Sequence, residues 1–287
     1  MILITDSGSS KCNWCFAKNR TNFLTTTTVG INPATQTEQE IRDIISNELI
    51  PALKQNKDFF DGVRTEQIHF YGAGCTENLK SKMQHILQTE LECKNIAVYS
   101  DMLGAARSLF QKEKGIACIL GTGANSCLYD GTKIIKQTPA LGYILGDEGS
   151  GAYLGKKLIQ ALFKGKLSPN VVAAFQQEYS YDMASVIEHT YRMPRANRFL
   201  ASLTKFLYQQ RQNPQIHELI CHAFDDFIFY NLKNYYSESN QVAFIGSIAF
   251  FFQEELTKCL ELNGFHTSNI TQDPMEGLLK YHFETTT

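Results

Sequence analysis

Thr5-Asp6-Ser7-Gly8-Ser9-Ser10-Lys11 follows the apolar run Met1–Ile4 and precedes a second strand-like run through Trp14 and Phe16. The construction returns in mid-chain as Ile116–Leu120, then Gly121-Thr122-Gly123-Ala124-Asn125-Ser126, then Cys127-Leu128-Tyr129. Both read as β-hairpins whose turns hold only small or hydroxyl residues. Such turns let the backbone approach a ligand closely, with N–H groups converging on an anion. Two of them predict two half-structures closing on one phosphate-bearing molecule.

Composition permits this. The chain has 287 residues, 43% hydrophobic and 20% charged, which suits a globular protein with two cores. A net charge of −2 gives no general attraction to nucleic acid or anionic lipid. The most apolar segment, Phe244–Phe252, is far shorter than the roughly 20 residues of a membrane span. No basic segment precedes an apolar one at the N-terminus, so no signal peptide and a cytoplasmic location are expected. Homodimerisation is left open.

The eight cysteines read as buried free thiols. Cys12 and Cys15 have redox or zinc spacing, but on a strand residues i and i+3 face opposite ways. His217 and His222 lie five apart on a predicted helix and make no metal pair.

Strands are expected over Met1–Asp6, Lys11–Lys18, Phe23–Val29, Gln67–Tyr71, Ile96–Ser100, Gly115–Leu120, Cys127–Asp130, Lys133–Thr138 and Gln241–Ile245. Helical patterns cover Thr37–Gln55, Glu77–Leu91, Met102–Phe110 and Ala152–Phe163. Ser168-Pro169, Asn213-Pro214 and Asp273-Pro274 mark helix starts. The junction between the two halves is expected near Leu103–Lys114, and the second half is richer in long helices.

Four segments carry chemistry. Asp6, at the end of a strand and before a small-residue turn, can organise a magnesium ion while the turn meets phosphate oxygens; taken alone, a capped tight turn is the commoner explanation of such a short motif. The second turn has no third glycine for a dinucleotide fingerprint, and no P-loop motif occurs. Gly146-Asp147-Glu148-Gly149-Ser150-Gly151 is an acidic, glycine-rich loop ahead of a helix, where an acid either caps the helix or reaches a ligand. Asp101 follows Ile96–Ser100 directly, where a carboxylate faces a cleft or caps the next helix.

In this order the segments resemble the sugar kinase/actin/Hsp70 superfamily, and within it the N-acetylglucosamine kinase group of the BadF-type ATPase-like family. The resemblance covers nearly the whole chain and is most specific at Gly146–Ser150. It implies an α/β fold of two ribonuclease H-like domains around a nucleotide cleft, spanning 1–105 and 106–272, with the helix 273–287 returning to the first. It implies phosphate contacts from Ser7, Gly8, Ser9, Ser10, Lys11, Gly121, Thr122 and Gly123, and adenosine contacts from Gly246 and Ser247. Asp6 would hold Mg2+, Asp101 would be the catalytic base, and Asn32, Asp101, Thr122 and Asp147 would line the sugar site. Ser7 and Ser10 stand where the family usually has glycine and threonine, and Leu141-Gly142-Tyr143 replaces a tryptophan-containing stretch.

The expected activity is ATP-dependent phosphorylation of an amino sugar, N-acetylglucosamine to its 6-phosphate, with Asp147 a rival to Asp101 as general base. An activator-type ATPase of the same family is an alternative, but no cysteines flank a shared loop as an iron–sulfur cluster would need. A catalytically inactive sugar-binding module is another. A sugar-sensing repressor would need a helix-turn-helix arm and a cysteine-rich zinc motif, and neither is expected here.

Overall fold

Successive apolar residues along a strand can all be buried only when both faces of the sheet are covered. The segment Ile2–Ser7 (β1) meets that condition, with Leu3 and Ile4 fully buried in different cores. The computed structural model describes residues 1–8, 10–60, 62 and 64–284. In it β1 pairs antiparallel with Lys11–Ala17 (β2), and β2 pairs antiparallel with Phe23–Val29 (β3). On its other side β1 runs parallel to Gln67–Gly72 (β4), which runs parallel to Ile96–Ser100 (β5).

The second sheet repeats the plan. Gly115–Leu120 (β6) pairs antiparallel with Ala124–Tyr129 (β7), and Ile134–Thr138 (β8) lies beyond β7. β6 then runs parallel to Gln241–Ile245 (β9), and β9 to His266–Thr271 (β10). The orders β3-β2-β1-β4-β5 and β8-β7-β6-β9-β10 are one ribonuclease H-like order used twice. Both expected hairpins are present, β1–β2 and β6–β7.

The chain divides into two compact units. One comprises Met1–Glu113, Gly131–Ile134 and Asp273–Thr287; the other comprises Lys114–Asp130 and Ile135–Gln272. In the second unit the helix Pro214–Phe227 lays Ile216, Ile220, Ala223, Phe224 and Phe227 into the core, alongside Leu154, Phe206 and Phe244. Each leucine, isoleucine and phenylalanine among them contributes about 1.5–3 kcal/mol on burial.

Two departures from the sequence reading have local causes. The expected helix Thr37–Gln55 contains a π-helical turn, Ile45–Leu49, between Glu38–Ile44 and Ile50–Gln55. Pro51 lacks an N–H and crowds the preceding turn, and a wider turn accommodates it. The strand β10 carries too few apolar residues to register as a strand, being a partly exposed edge. All eight cysteines are free, and Cys12 and Cys15 enter separate cores on opposite faces of their sheet.

In the first unit the helices Asp101–Phe110 and Met275–Glu284 pack on the same sheet face. Ser108 Oγ donates to Pro274 C=O (2.9 Å), and Gln111 Nε2 donates to Gly277 C=O (3.0 Å). Beneath them the His69 and His282 rings lie 3.8 Å apart, and the Tyr71 hydroxyl is 2.9 Å from His282 Nε2. Arg107 donates to that hydroxyl (3.0 Å) and lies over the Tyr99 ring. Burial and the Arg107 charge push His69 down to about 4, and burial, His69 and Arg107 push His282 down to about 3.

Both histidines are therefore neutral when folded, while the unfolded chain takes up protons below about 6.5. Stability from this pair is fully present above about 6.5 and is lost as pH falls through about 4 for His69 and about 3 for His282. Melting temperature should drop across that window, and His69→Phe should flatten the drop. An equally steep profile in the variant would refute the assignment.

Candidate active site

A strand delivers its last residues to the sheet edge, and a parallel neighbour delivers its own to the same edge. β1 brings Asp6 there, and the residue after β5 is Asp101. Asp101 opens the helix Asp101–Phe110 as its first residue, because Ser100 takes the cap: its Oγ accepts from Leu103 N–H (3.2 Å). Asp101 is thus free of the capping role, and its Oδ1 accepts only local backbone N–H, from Met102 at 2.8 Å. Burial raises its pKa above the ordinary carboxylate value, partly offset by that backbone donor.

Asp6 is half-buried, and none of the described residues donates a hydrogen bond to its side chain. Burial, then the charges of Asp101 and Asp273, push it up to about 7 against the pull of Lys11. Asp273 is the residue that the sequence reading missed as part of this cluster. Asp273-Pro274 signals only a helix start, and Asp273 Oδ1 does accept from Met275 N–H (3.0 Å). Nothing in the sequence pattern brings it near Asp6, because the chain must first complete the second unit.

The first turn is closed by Gly8 N–H donating to Lys11 C=O (3.0 Å). Ser10 and Lys11 are exposed beside it; Ser9 lies outside the described residues. The Ser7 hydroxyl is committed elsewhere. It is fully buried, donates to Ile31 C=O (2.9 Å) and accepts from Ile31 N–H (2.8 Å), so its one hydrogen is not available to a phosphate. The expected phosphate contact from that side chain is corrected accordingly.

In the second unit three expected segments converge. Gly151 and Ala152, at the start of the helix Gly151–Phe163, donate their N–H groups to Gly121 C=O (2.8 Å) and Thr122 C=O (3.1 Å). Asp147 does not cap that helix; Ser150 does, accepting from Tyr153 N–H (3.1 Å). Asp147 sits at φ 56 and accepts from Ala124 N–H (3.2 Å), with its carboxyl so close to Gly123 that a Cβ there would lie 2.9 Å from Oδ2. Burial raises its pKa, partly offset by the Ala124 donor. Glu148 accepts from Asn231 Nδ2 (3.3 Å).

Gly246 has φ 125, and any Cβ would fall 2.3 Å from Leu120 C=O, so only glycine fits this turn beside β6. Exposed Ser247 opens the next helix.

Two observations test the fit of a magnesium nucleotide. A Cβ on Gly121 would meet nothing within 4 Å, and one on Gly8 only Lys11 C=O at 3.8 Å. Both glycines leave space that the protein does not fill. Among the described residues no group of three or more His, Cys, Asp or Glu could hold a metal, so any cation here takes few protein ligands. An undonated carboxylate at Asp6 suits that role, with phosphate and water supplying the rest.

No family model and no curated protein matches the chain. Among solved structures it is 42% identical to a provisionally assigned N-acetylglucosamine kinase from Porphyromonas gingivalis, covering 100% of both chains with a TM-score of 0.93. The chain belongs to the N-acetylglucosamine kinase family. A second provisionally assigned member, from Chromobacterium violaceum, is 16% identical over 98% of this chain and 99% of its own (TM-score 0.70). A ROK family glucokinase from Streptomyces griseus, solved with glucose and AMPPNP, shares the fold at 13% identity over 98% and 97% (TM-score 0.63). No described helix is long and apolar enough to cross a membrane.

Membership gives the Asp6 cluster a physical test. Its raised pKa means that ionisation costs the ligand-free fold stability, a penalty absent below about 3.8 and complete above about 7. Asp6→Asn should therefore raise the melting temperature of the ligand-free protein by several degrees at pH 8, with the gap closing toward pH 4. A variant no more stable than the parent at pH 8 would sink this electrostatic account.

Proposed function

We propose that this chain transfers the γ-phosphoryl group of ATP to a hydroxyl of an amino sugar, the 6-hydroxyl of N-acetylglucosamine. The observation that carries the reading is Asp101. It is a half-buried carboxylate with a raised pKa and a free oxygen, in a chain 42% identical to a provisionally assigned kinase for that sugar.

Asp101 accepts the proton of the attacking hydroxyl as its oxygen bonds to the γ-phosphorus. The bond from that phosphorus to the β–γ bridging oxygen breaks, and ADP leaves. Its raised pKa brings the base closer to the hydroxyl it must deprotonate, while burial keeps competing water away. Asp6 would hold Mg2+, which supplies charge neutralisation on the phosphates when bound. Gly8, Ser10 and Lys11, and likewise Gly121, Thr122 and Gly123, would donate to phosphate oxygens. Gly246 and Ser247 would lie against the adenosine, and Asn32 and Thr122 would meet the sugar.

Asp147 is the weaker candidate for the base. One of its oxygens holds the Ala124 N–H and its carboxyl is wedged against Gly123, a placement that serves the turn. The activator-type alternative is disfavoured by the thiols, since seven of the eight cysteines are buried and none is fully exposed.

ADP release should follow addition of N-acetylglucosamine and exceed that with glucosamine, N-acetylmannosamine, N-acetylmuramate or glucose. Asp101→Asn should cut turnover by a factor on the order of 10² or more while leaving ATP affinity intact. Turnover within a few-fold of the parent would remove Asp101 from the mechanism, and no activity with any amino sugar would remove the assignment.

A further inference from the structure

The loop Gly30-Ile31-Asn32 is held by hydrogen bonds on nearly every polar atom. Gly30 N–H donates to Ser10 C=O (3.3 Å), and Gly30 C=O accepts from Gln36 Nε2 (3.1 Å). Both backbone groups of Ile31 are taken by the Ser7 hydroxyl, at 2.8 and 2.9 Å, inside a site where Ser7 and Ile31 are fully buried. Asn32 N–H donates to Gln36 Oε1 (2.7 Å), and its C=O accepts from Thr35 and Gln36 N–H.

The Asn32 side chain is oriented as tightly. Its Oδ1 accepts from Ala34 N–H (2.9 Å), which fixes the amide, because the nitrogen cannot accept there. The same oxygen lies against Gly74, where a Cβ would approach it to 2.0 Å. What remains is Nδ2, which donates to none of the described residues. The loop thus presents one amide donor, and among the described residues its side-chain hydrogen bonds to β1 both go through the Ser7 hydroxyl.

We propose that Ser7 is a positioning residue for the sugar: it ties the loop bearing Asn32 to the strand bearing Asp6, so that Asn32 Nδ2 meets an acceptor oxygen of the substrate. The inference rests on the sugar-kinase reading above. Ser7 touches neither substrate nor nucleotide. Its effect passes through Ile31, and it acts on sugar binding rather than on ATP. The Ser7 hydroxyl is internal to the site, while the exposed donors of the turn begin at Gly8.

Ser7→Ala removes both hydrogen bonds with little change of volume, and Ser7→Cys restores them weakly in nearly the same shape. Gln36→Met loosens the loop from its other side. Initial rates and calorimetric titration with N-acetylglucosamine and with ATP separate the effects. Ser7→Ala should raise the KM and Kd for the sugar about tenfold, with the ATP values within twofold. Ser7→Cys should fall between alanine and the parent, and Gln36→Met should shift the sugar values in the same direction. Equal losses for sugar and ATP, or an unchanged sugar Kd in a folded Ser7→Ala protein, would overturn the proposal alone. A parent protein that neither binds nor phosphorylates any amino sugar would overturn the kinase reading and this inference together.

Discussion

Like charges held near one another in poorly solvated surroundings are the constraint on which the first unit depends. Burial first, and then the charges of Asp101 and Asp273 against that of Lys11, push the Asp6 carboxyl up to about 7. Water cannot relieve it, since desolvation is the largest cause. A divalent cation can, and the sheet pays for the cluster with structure around it. Trp14 and Phe70 pack beneath the strands on one face, and the Tyr71, Arg107 and His282 network fastens the helix that begins with Asp101 on the other. Rigid surroundings are what keep carboxylates that repel one another from moving apart.

The second unit solves a complementary problem of backbone hydrogen bonding. Its turn must expose N–H donors while its own carbonyls stay satisfied. Gly151 and Ala152 satisfy the Gly121 and Thr122 carbonyls, and Asp147 takes the Ala124 N–H. The left-handed backbone at Asp147 is the cost of bringing its carboxyl under Gly123. A bulkier residue at 123 would push that carboxyl away, and a residue other than glycine at 246 would collide with Leu120. The glycines in this half thus divide into two kinds. Gly123 and Gly246 are demanded by the protein's own packing, whereas Gly121 leaves a space that the protein does not fill.

Much of this was legible in the sequence because it was local. β3, β5, β6 and β9 fall on the expected residues, since β-branched or aromatic runs bounded by glycine and polar turns identify them. The cap residues at 168 and 213 were legible for the same reason. What escaped depends on contacts distant in sequence. β10 takes its conformation from pairing with β9 rather than from its own composition. Asp273 acquires its role only when the chain returns to the first unit after residue 272. The Ser7 hydroxyl reads as a phosphate donor in sequence, because Ile31, which claims it, is 24 residues away. Helix capping was left open at 101 and 147, and a serine takes the cap both times, Ser100 directly before Asp101 and Ser150 three residues after Asp147.

One strand order appears in both units with opposite chemical content, and that contrast says why the two hairpins cannot exchange roles. Asp6 on β1 corresponds in the second unit to Ile119 on β6: each is the next-to-last residue of its strand, and each faces an asparagine of its hairpin partner, Asn13 on β2 and Asn125 on β7. An isoleucine there cannot hold a cation, and β9 ends in Ile245 and Gly246 rather than in an acid. The fold therefore supplies two turns of similar backbone but only one carboxylate cluster. The second unit's acids lie off its strand ends, with Asp147 bound to the Ala124 N–H and Glu148 to Asn231, whereas the first unit sets Asp6 at the end of β1 and Asp101 directly after β5. Divergence at these few positions, on a repeated scaffold, gives the two strand ends different charge while the backbone order is kept.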